Sequence, residues 1–188
     1  MKRHQHYLLY KPYDYLSQFI NNQTKRKNKK LLGELYNFPE GIMAIGRLDQ
    51  PSEGLLLLTT DGKFSEYIRS NKVEKEYYVQ VDGIITNTEI AQLIIGVEIS
   101  TNEGLYKTKP CICKIIENPN FPERSKKVRD DRHGPTSWIS ITITEGKFRQ
   151  VRKMTAKVGC PTLRLVRVRI GEYDLGNMEI GEIKQLEL

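Results

Sequence analysis

The sequence is poor in the residues that hold metals and cross-links. Its 188 residues include only three cysteines and three histidines. The cysteines, Cys111, Cys113 and Cys160, are odd in number and form no CxxC pair, which argues against a disulfide framework and a zinc ribbon. No group of His, Asp or Glu has metal-ligand spacing. We therefore expect no metal and no cofactor, and we interpret Cys111 and Cys113 as packed, reduced thiols on one face of a strand.

Long apolar runs and phosphate-binding loops are also missing. No hydrophobic segment reaches the length that spans a bilayer, and the first residues lack the apolar core of a signal peptide. There is neither a GxxxxGK[ST] phosphate loop nor a GxGxxG dinucleotide turn. The sequence thus predicts a cytoplasmic protein without membrane contact, and any chemistry should be cofactor-free.

Positive charge exceeds negative charge. The 30 Lys and Arg residues outnumber the 23 Asp and Glu residues, which gives a formal net charge of +7 and a pI of about 9.2. Such a balance favours a polyanionic partner, most often nucleic acid. Two polar segments could supply the contacts: the run Asn21–Lys30 and the long connector Glu117–Thr136. Each is either a solvated loop or an element that contacts the partner.

Hydrophobic periodicity mixes short strands with short helices. Apolar stretches predict strands, for example over Glu76–Val81 and Leu163–Ile170. Helical spacing over Thr88–Ile95 and Lys147–Val158 predicts two helices that end at glycine. No linker or internal repeat divides the chain. These observations predict an α+β or mixed α/β domain around one sheet.

The stretch that most clearly suggests chemistry is Gly46-Arg47-Leu48-Asp49. It forms a turn that leads into the apolar strand Leu55–Leu58, so that Asp49 is held firmly with a cation beside it. Asp49 is either a turn aspartate that bonds its own backbone or a catalytic carboxylate. If Arg152 reaches Asp49, the ion pair keeps the carboxylate charged, which suits a nucleophile or base and not a general acid.

Other side chains allow two interpretations as well. Glu53 could pair with Asp49 as in a glycosidase or a metal site, but its place at the start of a strand favours a local role. Tyr77 either packs in the core or stacks on a nucleobase. The arginines and lysines of the later helix and strand are more easily interpreted as phosphate contacts than as plain surface. They are Arg149, Lys153, Arg164 and Arg167.

Four motifs in order match a known family. They are Lys11-Pro12, then Gly46-Arg47-Leu48-Asp49 with Gly54–Thr59, then Lys75-Glu76-Tyr77-Tyr78-Val79, and finally Glu145–Met154. Over nearly its whole length the chain resembles the bacterial ribosomal RNA pseudouridine synthases of one group. That group comprises synthase A, for the small ribosomal subunit, and synthases B, E and F, for the large one. Further stretches, among them Pro135–Trp138 and Pro161–Leu165, resemble the sequences of the synthase E type within that group.

The resemblance implies a fold and a domain organisation. It implies a pseudouridine synthase fold, in which a mixed, mostly antiparallel central sheet is flanked by helices and crossed by a catalytic cleft. One catalytic domain would cover residues 1–188, with two sub-halves at roughly 1–70 plus the C-terminal strands and 71–188. Because the first motif begins almost at Met1, no N-terminal S4-type RNA-binding module is expected. Target selection would then fall to the segments Asn21–Lys30 and Glu117–Thr136.

The resemblance also implies roles for residues and a substrate. Asp49 would be the essential carboxylate, with Tyr77 stacked on the target base and Arg152 fixing Asp49. Other basic residues would contact the RNA, and they are Lys11, Arg47, Arg149, Lys153, Arg164 and Arg167. The partner would be 23S rRNA, in which a monomeric enzyme isomerises one uridine.

Other functions stay open at the level of sequence. The chain could be a non-catalytic rRNA-binding or ribosome-assembly protein, or a synthase for a different rRNA uridine. A nucleoside hydrolase or glycosidase would need a second acid or a metal, and neither is evident.

Overall fold

The computed structural model describes residues 3–20, 29–70, 72–129 and 131–187. Most of the predicted basic loop Asn21–Lys30 therefore lies outside the described residues. The helices are α1 (Gly62–Arg69), α2 (Asn87–Ile95) and α3 (Gln150–Lys157). The strands, in chain order, are β1 (His6–Lys11), β2 (Tyr15–Leu16), β3 (Lys30–Leu31), β4 (Met43–Ala44), β5 (Glu53–Thr59), β6 (Lys75–Asp82), β7 (Glu98–Thr101), β8 (Gly104–Lys107), β9 (Ile112–Ile116), β10 (Thr136–Ile143), β11 (Thr162–Ile170), β12 (Tyr173–Asp174) and β13 (Ile183–Leu186).

The chain divides into two compact units. The first unit comprises Met1–Val73 and Arg167–Leu188, and the second comprises Glu74–Val166. Strand β11 contributes its last residues to the first unit and its first residues to the second. The predicted α+β class, with a mostly antiparallel sheet, is confirmed.

In the first unit, β1 pairs antiparallel with both β13 and β5. Every residue of β5 is buried, which explains why its sequence is continuously apolar instead of alternating. The core of this unit joins apolar residues of β1 and β5, such as Leu9, Leu56 and Leu58, with the aromatic ring of Tyr7. The β1–β5 register sets Lys11 opposite Gly54 and so brings a lysine to the start of β5.

In the second unit, β10 pairs antiparallel with β6 and β9, and the two helices contribute to its core. Helix α2 begins after Thr86, whose side chain caps it in a capping box with Glu89, and ends at Gly96. Gly96 has a φ of +89°, and an added Cβ there would lie 2.1 Å from the carbonyl oxygen of Thr108. A larger residue cannot occupy this helix end.

Two further observations concern expectations from sequence. The hairpin of β7 and β8 was not predicted, because its strands are short and mostly polar. Cys111 and Cys113 are both free, and Cys113 is buried in the core of the second unit while the partly buried Cys111 packs against it, as predicted for packed, reduced thiols. Only Cys113 lies on a strand, because β9 begins at Ile112. Within the described parts of the chain, no helix is long and apolar enough to cross a membrane.

Candidate active site

Asp49 lies in the loop between β4 and β5 of the first unit, and Ser17 holds one side of this loop. Leu48, the residue before Asp49, is buried, and its backbone N–H donates to Ser17 Oγ at 2.9 Å. The Ser17 hydroxyl donates in return to the Leu48 carbonyl oxygen at 2.8 Å. One buried side chain thus satisfies both polar backbone groups of Leu48 and fixes the chain that enters Asp49.

Lys11 and Asp14 hold the other side of the loop. The Lys11 ammonium group donates to the carbonyl oxygens of Ser52 (2.7 Å), Gln50 (3.4 Å) and its neighbour Pro12 (2.8 Å). The Gln50 carbonyl also accepts the backbone N–H of Asp14, and the Gln50 side chain donates to the Asp14 carboxylate at 2.7 Å. The backbone is therefore bonded on both sides of Asp49.

The environment of Lys11 corrects its predicted role. The side chain is fully buried, and burial lowers the pKa of Lys11 to about 7, while the negative charges of Glu53 and Asp49 oppose this shift. A side chain without exposed surface cannot contact a phosphate. The prediction that Lys11 binds RNA is thus wrong, and Lys11 instead stabilises the loop that carries Asp49.

The charged residues in and beside this loop differ in exposure. Asp49 is half-buried and Arg47 is exposed, so both are open to a ligand. Glu53 is completely buried within β5, which agrees with a local role. Among the described residues, no cluster of His, Cys, Asp and Glu could hold a metal ion.

Arg167 also departs from its predicted role. Only about 5% of the residue is exposed, and its Nε donates to the Leu55 carbonyl oxygen at 2.7 Å. Its positive charge contributes to lowering the pKa of Lys11, which locates Arg167 in the same charged cluster. Arg167 therefore supports the start of β5, and the prediction of a phosphate contact is wrong.

Tyr77 lies on β6 in the second unit. It is half-buried and packs against a core cluster that includes Val79 and Val81 of the same strand. Its register partner in β10 is Ile141. The ring is thus held by the core at one side while part of the residue stays exposed. The predicted stacking of Tyr77 on the target base stays a prediction.

Helix α3 and its N-cap carry three further predicted residues of the second unit. Arg149 is its N-cap residue and has a left-handed backbone with a φ of +52°. Arg152 is half-buried, and its predicted approach to Asp49 stays a prediction. The Lys153 ammonium group donates to the Ser100 carbonyl oxygen at 2.7 Å and lies 5.4 Å from the centre of the Phe148 ring. Arg149 and Lys153 are partly exposed, and their predicted contacts with RNA stay predictions.

Arg164 holds the connector Glu117–Thr136 and does not face solvent. It is about 6% exposed, donates to the Pro122 carbonyl oxygen at 2.8 Å, and lies 5.6 Å from the centre of the Phe121 ring. Phe121 also packs against Tyr78 and Trp138. The predicted phosphate contact of Arg164 is wrong for the same reason as that of Arg167: both guanidinium groups are buried against backbone carbonyls.

A second anchor holds the far end of this connector. Arg129 forms a two-pronged ion pair with the Asp82 carboxylate at the end of β6. The Gly83 N–H donates to the Pro135 carbonyl oxygen at 3.0 Å. Sequence reasoning missed these anchors, and also Ser17 and Gln50, because their partners lie 31 or more residues away along the chain. Such pairs can be identified only once the fold brings the two residues together.

Comparison with known proteins yields consistent matches. A family model described as RNA pseudouridylate synthase matches residues 5–157. A ribosomal large subunit pseudouridine synthase E of Vibrio parahaemolyticus is 42% identical over 180 residues, which cover 95% of this chain and 72% of that protein. The protein of the same name from Xanthomonas campestris is 42% identical over 178 residues, with 93% and 91% covered. A synthase B of Bacillus subtilis is 30% identical over 184 residues, with 96% and 67% covered.

A solved structure agrees with these matches. A crystal structure of a pseudouridylate synthase superposes with a TM-score of 0.79 at 25% identity, and the match covers all of this chain and 72% of that one. The solved structure and the sequence matches therefore indicate the same family. The chain belongs to the RNA pseudouridylate synthase family.

Proposed function

We propose that the chain isomerises one uridine of large-subunit ribosomal RNA to pseudouridine, with Asp49 as the essential carboxylate. The observation that carries this proposal is the braced loop around Asp49: Ser17 holds Leu48, and Lys11 holds Gln50 and Ser52. A carboxylate held this firmly, yet half-exposed, can meet a reacting atom without reorganisation. Relatives named as large-subunit synthases support the choice of RNA.

The reaction is an isomerisation that needs no water or redox partner. The glycosidic bond between N1 and C1′ of the uridine breaks, the detached uracil turns, and a new bond forms between C5 and C1′. The proton on C5 is lost and N1 gains one, so atoms and charge balance. Because a stacked base cannot present these atoms, the uridine must leave the stack, at a cost of a few kcal/mol.

The remaining residues would assist this step from both units. Arg47 is exposed and would stabilise the extruded nucleotide. It would do so either by contacting a phosphate or by filling the space that the base vacates. Tyr77 would stack on the target base, and Arg152 would keep Asp49 charged. We further propose that the protein acts as a monomer in the cytoplasm.

The test compares Asp49→Asn with the wild-type protein. Chemical mapping of pseudouridine in large-subunit RNA should show one site with wild type and none with Asp49→Asn, while RNA affinity changes by no more than a few-fold. Asp174→Asn, which alters an exposed aspartate of the same unit, is the matched control and should keep full activity. Binding without any modified uridine by the wild type would instead support a non-catalytic RNA-binding protein.

A further inference from the structure

An exposed aromatic ring lies at the turn that precedes helix α3. We call residues Glu145–Arg149 the Phe148 turn. Phe148 is 67% exposed, although a ring of this size ordinarily contributes to a core. The mechanism proposed above gives Phe148 no role. Much of the ring is therefore open to a ligand.

The Phe148 turn is firmly held. Glu145 is about 4% exposed, and its carboxylate accepts hydrogen bonds from the Tyr106 hydroxyl, the Lys109 backbone N–H (2.9 Å) and the Gln150 amide (2.6 Å). The Gln150 side chain also accepts the backbone N–H of Lys147 at 3.0 Å. These bonds fix the turn at both ends, so the exposed ring is not the product of a loose loop.

The backbone of the turn is also strained. Arg149 has a φ of +52°, a conformation that non-glycine residues rarely adopt. Such a conformation costs free energy, and it persists at sites where the surrounding structure enforces it. The network around Glu145 supplies that enforcement. The geometry thus holds the turn that carries Phe148 in one conformation.

One cation lies beside the exposed ring and two more are its neighbours in the chain, one of which, Lys147, also pairs with Glu103 at 3.8 Å. The Lys153 ammonium group lies 5.4 Å from the ring centre of Phe148 and is itself held by the Ser100 carbonyl oxygen. Lys147 and Arg149 flank Phe148 in the chain, and the Lys147 ammonium group lies 4.9 Å from the ring centre of Tyr106. An aromatic ring among positive charges suits a nucleobase whose phosphates lie nearby.

We infer that the Phe148 turn is a stacking platform for an unpaired base of the RNA, separate from the extruded target uridine, with Lys147, Arg149 and Lys153 near the adjoining phosphates. This inference rests on the proposed function for the identity of the partner. A single-stranded segment fits better than a duplex, because only an unpaired base can offer its face to a side chain. The platform would therefore favour targets that have unpaired nucleotides beside them.

The experiment measures binding to a short single-stranded RNA in which 2-aminopurine replaces one base, and to the same RNA annealed to its complement. Stacking on an aromatic ring quenches 2-aminopurine fluorescence. Wild type and Phe148→Tyr should quench the single strand, whereas Phe148→Leu should not quench it and should bind it about tenfold more weakly. Leu105→Ala removes another exposed apolar side chain of the same unit and should behave as wild type.

The outcomes separate this inference from the proposed function. Phe148→Leu should bind the duplex as wild type does, with the same dependence on salt, because no charge is removed. Equal quenching by wild type and Phe148→Leu would overturn the inference, as would equal weakening of single-strand and duplex binding. Because the assay measures binding and not turnover, quenching that depends on Phe148 would support the platform even if no pseudouridine were made.

Discussion

The Lys11 ammonium group donates a 2.7 Å hydrogen bond to the carbonyl oxygen of Ser52, and both residues are almost completely buried. The bond joins the end of β1 to the residue that precedes β5, across 41 positions of the chain. Between its partners Gln50 and Ser52 and the clamp at Leu48 lies the backbone of Asp49. Lys11 thus contributes both to the stability of the first unit and, together with Ser17 and Asp14, to the placement of Asp49.

Replacing Lys11 by methionine should destabilise the protein. The change leaves the buried carbonyl oxygens of Gln50 and Ser52 without this donor and removes a positive charge near buried Glu53. We expect a loss of about 3 kcal/mol in the free energy of unfolding, measured by chemical denaturation. Lys63→Met, at an exposed position of α1, is the control and should change stability by less than about 0.5 kcal/mol. If Lys11→Met had the same free energy of unfolding as the wild type, the loop would not depend on Lys11.

The stability of the wild type should depend on pH through Lys11. Burial lowers the pKa of this group to about 7, from 10.5 in the unfolded chain. Between these values the unfolded chain binds more protons than the folded chain, so the free energy of unfolding should rise with pH. Relative to Lys11→Met, the rise should approach about 1.4 kcal/mol per pH unit.

The useful range for this measurement runs from about pH 7 to about pH 8, where ordinary thiols remain mostly protonated. Denaturation of wild type and Lys11→Met at several pH values in this range gives the difference directly. A difference that stays constant would mean that Lys11 remains charged throughout the range.

Ser17→Ala should impair turnover more than RNA binding. The change leaves both polar backbone groups of buried Leu48 without their partner, at a cost of about 1–3 kcal/mol, and it loosens the chain that enters Asp49. We expect kcat to fall about tenfold or more, with a small change in KM. Thr88→Ala, which removes an exposed hydroxyl group of α2, should leave both constants unchanged. A loss confined to KM would place Ser17 in RNA binding.

Arg164→Met should release the connector Glu117–Thr136. The guanidinium group holds Pro122 and Phe121, and these contacts together are worth about 1–3 kcal/mol. Trypsin should then cleave after the exposed residues Lys126 and Lys127 about tenfold faster. Arg69→Met, at an exposed position of α1, should leave the cleavage rate unchanged. Unchanged cleavage of Arg164→Met would assign the anchoring to Arg129 instead.

Features encoded by neighbouring residues could be predicted from the sequence. Helix α2 illustrates this point, since Thr86, Glu89 and Gly96 specify its ends through contacts within a few residues. The buried strand β5 could also be predicted, because an uninterrupted apolar run leaves no polar face. The family motif around Asp49 is contiguous in the chain, so the sequence alone indicates this residue.

Roles that depend on distant partners could not be predicted. The arginines of β11 illustrate this limit: a cation on a strand near a predicted site indicates a phosphate contact, yet Arg164 and Arg167 bond to backbone carbonyls. Their partners lie 42 and 112 residues away, so no local pattern reveals them. The prediction for Lys11 is wrong for the same reason. For long basic side chains, burial decides between support and binding, and burial is a property of the folded chain.

The packed thiols of the second unit have a practical consequence. Burial raises the pKa of Cys111 to about 11 and that of Cys113 to about 12, and it raises the pKa of Cys160 as well. Since only the thiolate reacts with alkylating reagents, maleimide dyes at neutral pH should label the native protein slowly. A Lys127→Cys variant would then carry a single readily labelled group, and a dye attached there could report directly on how the connector meets RNA.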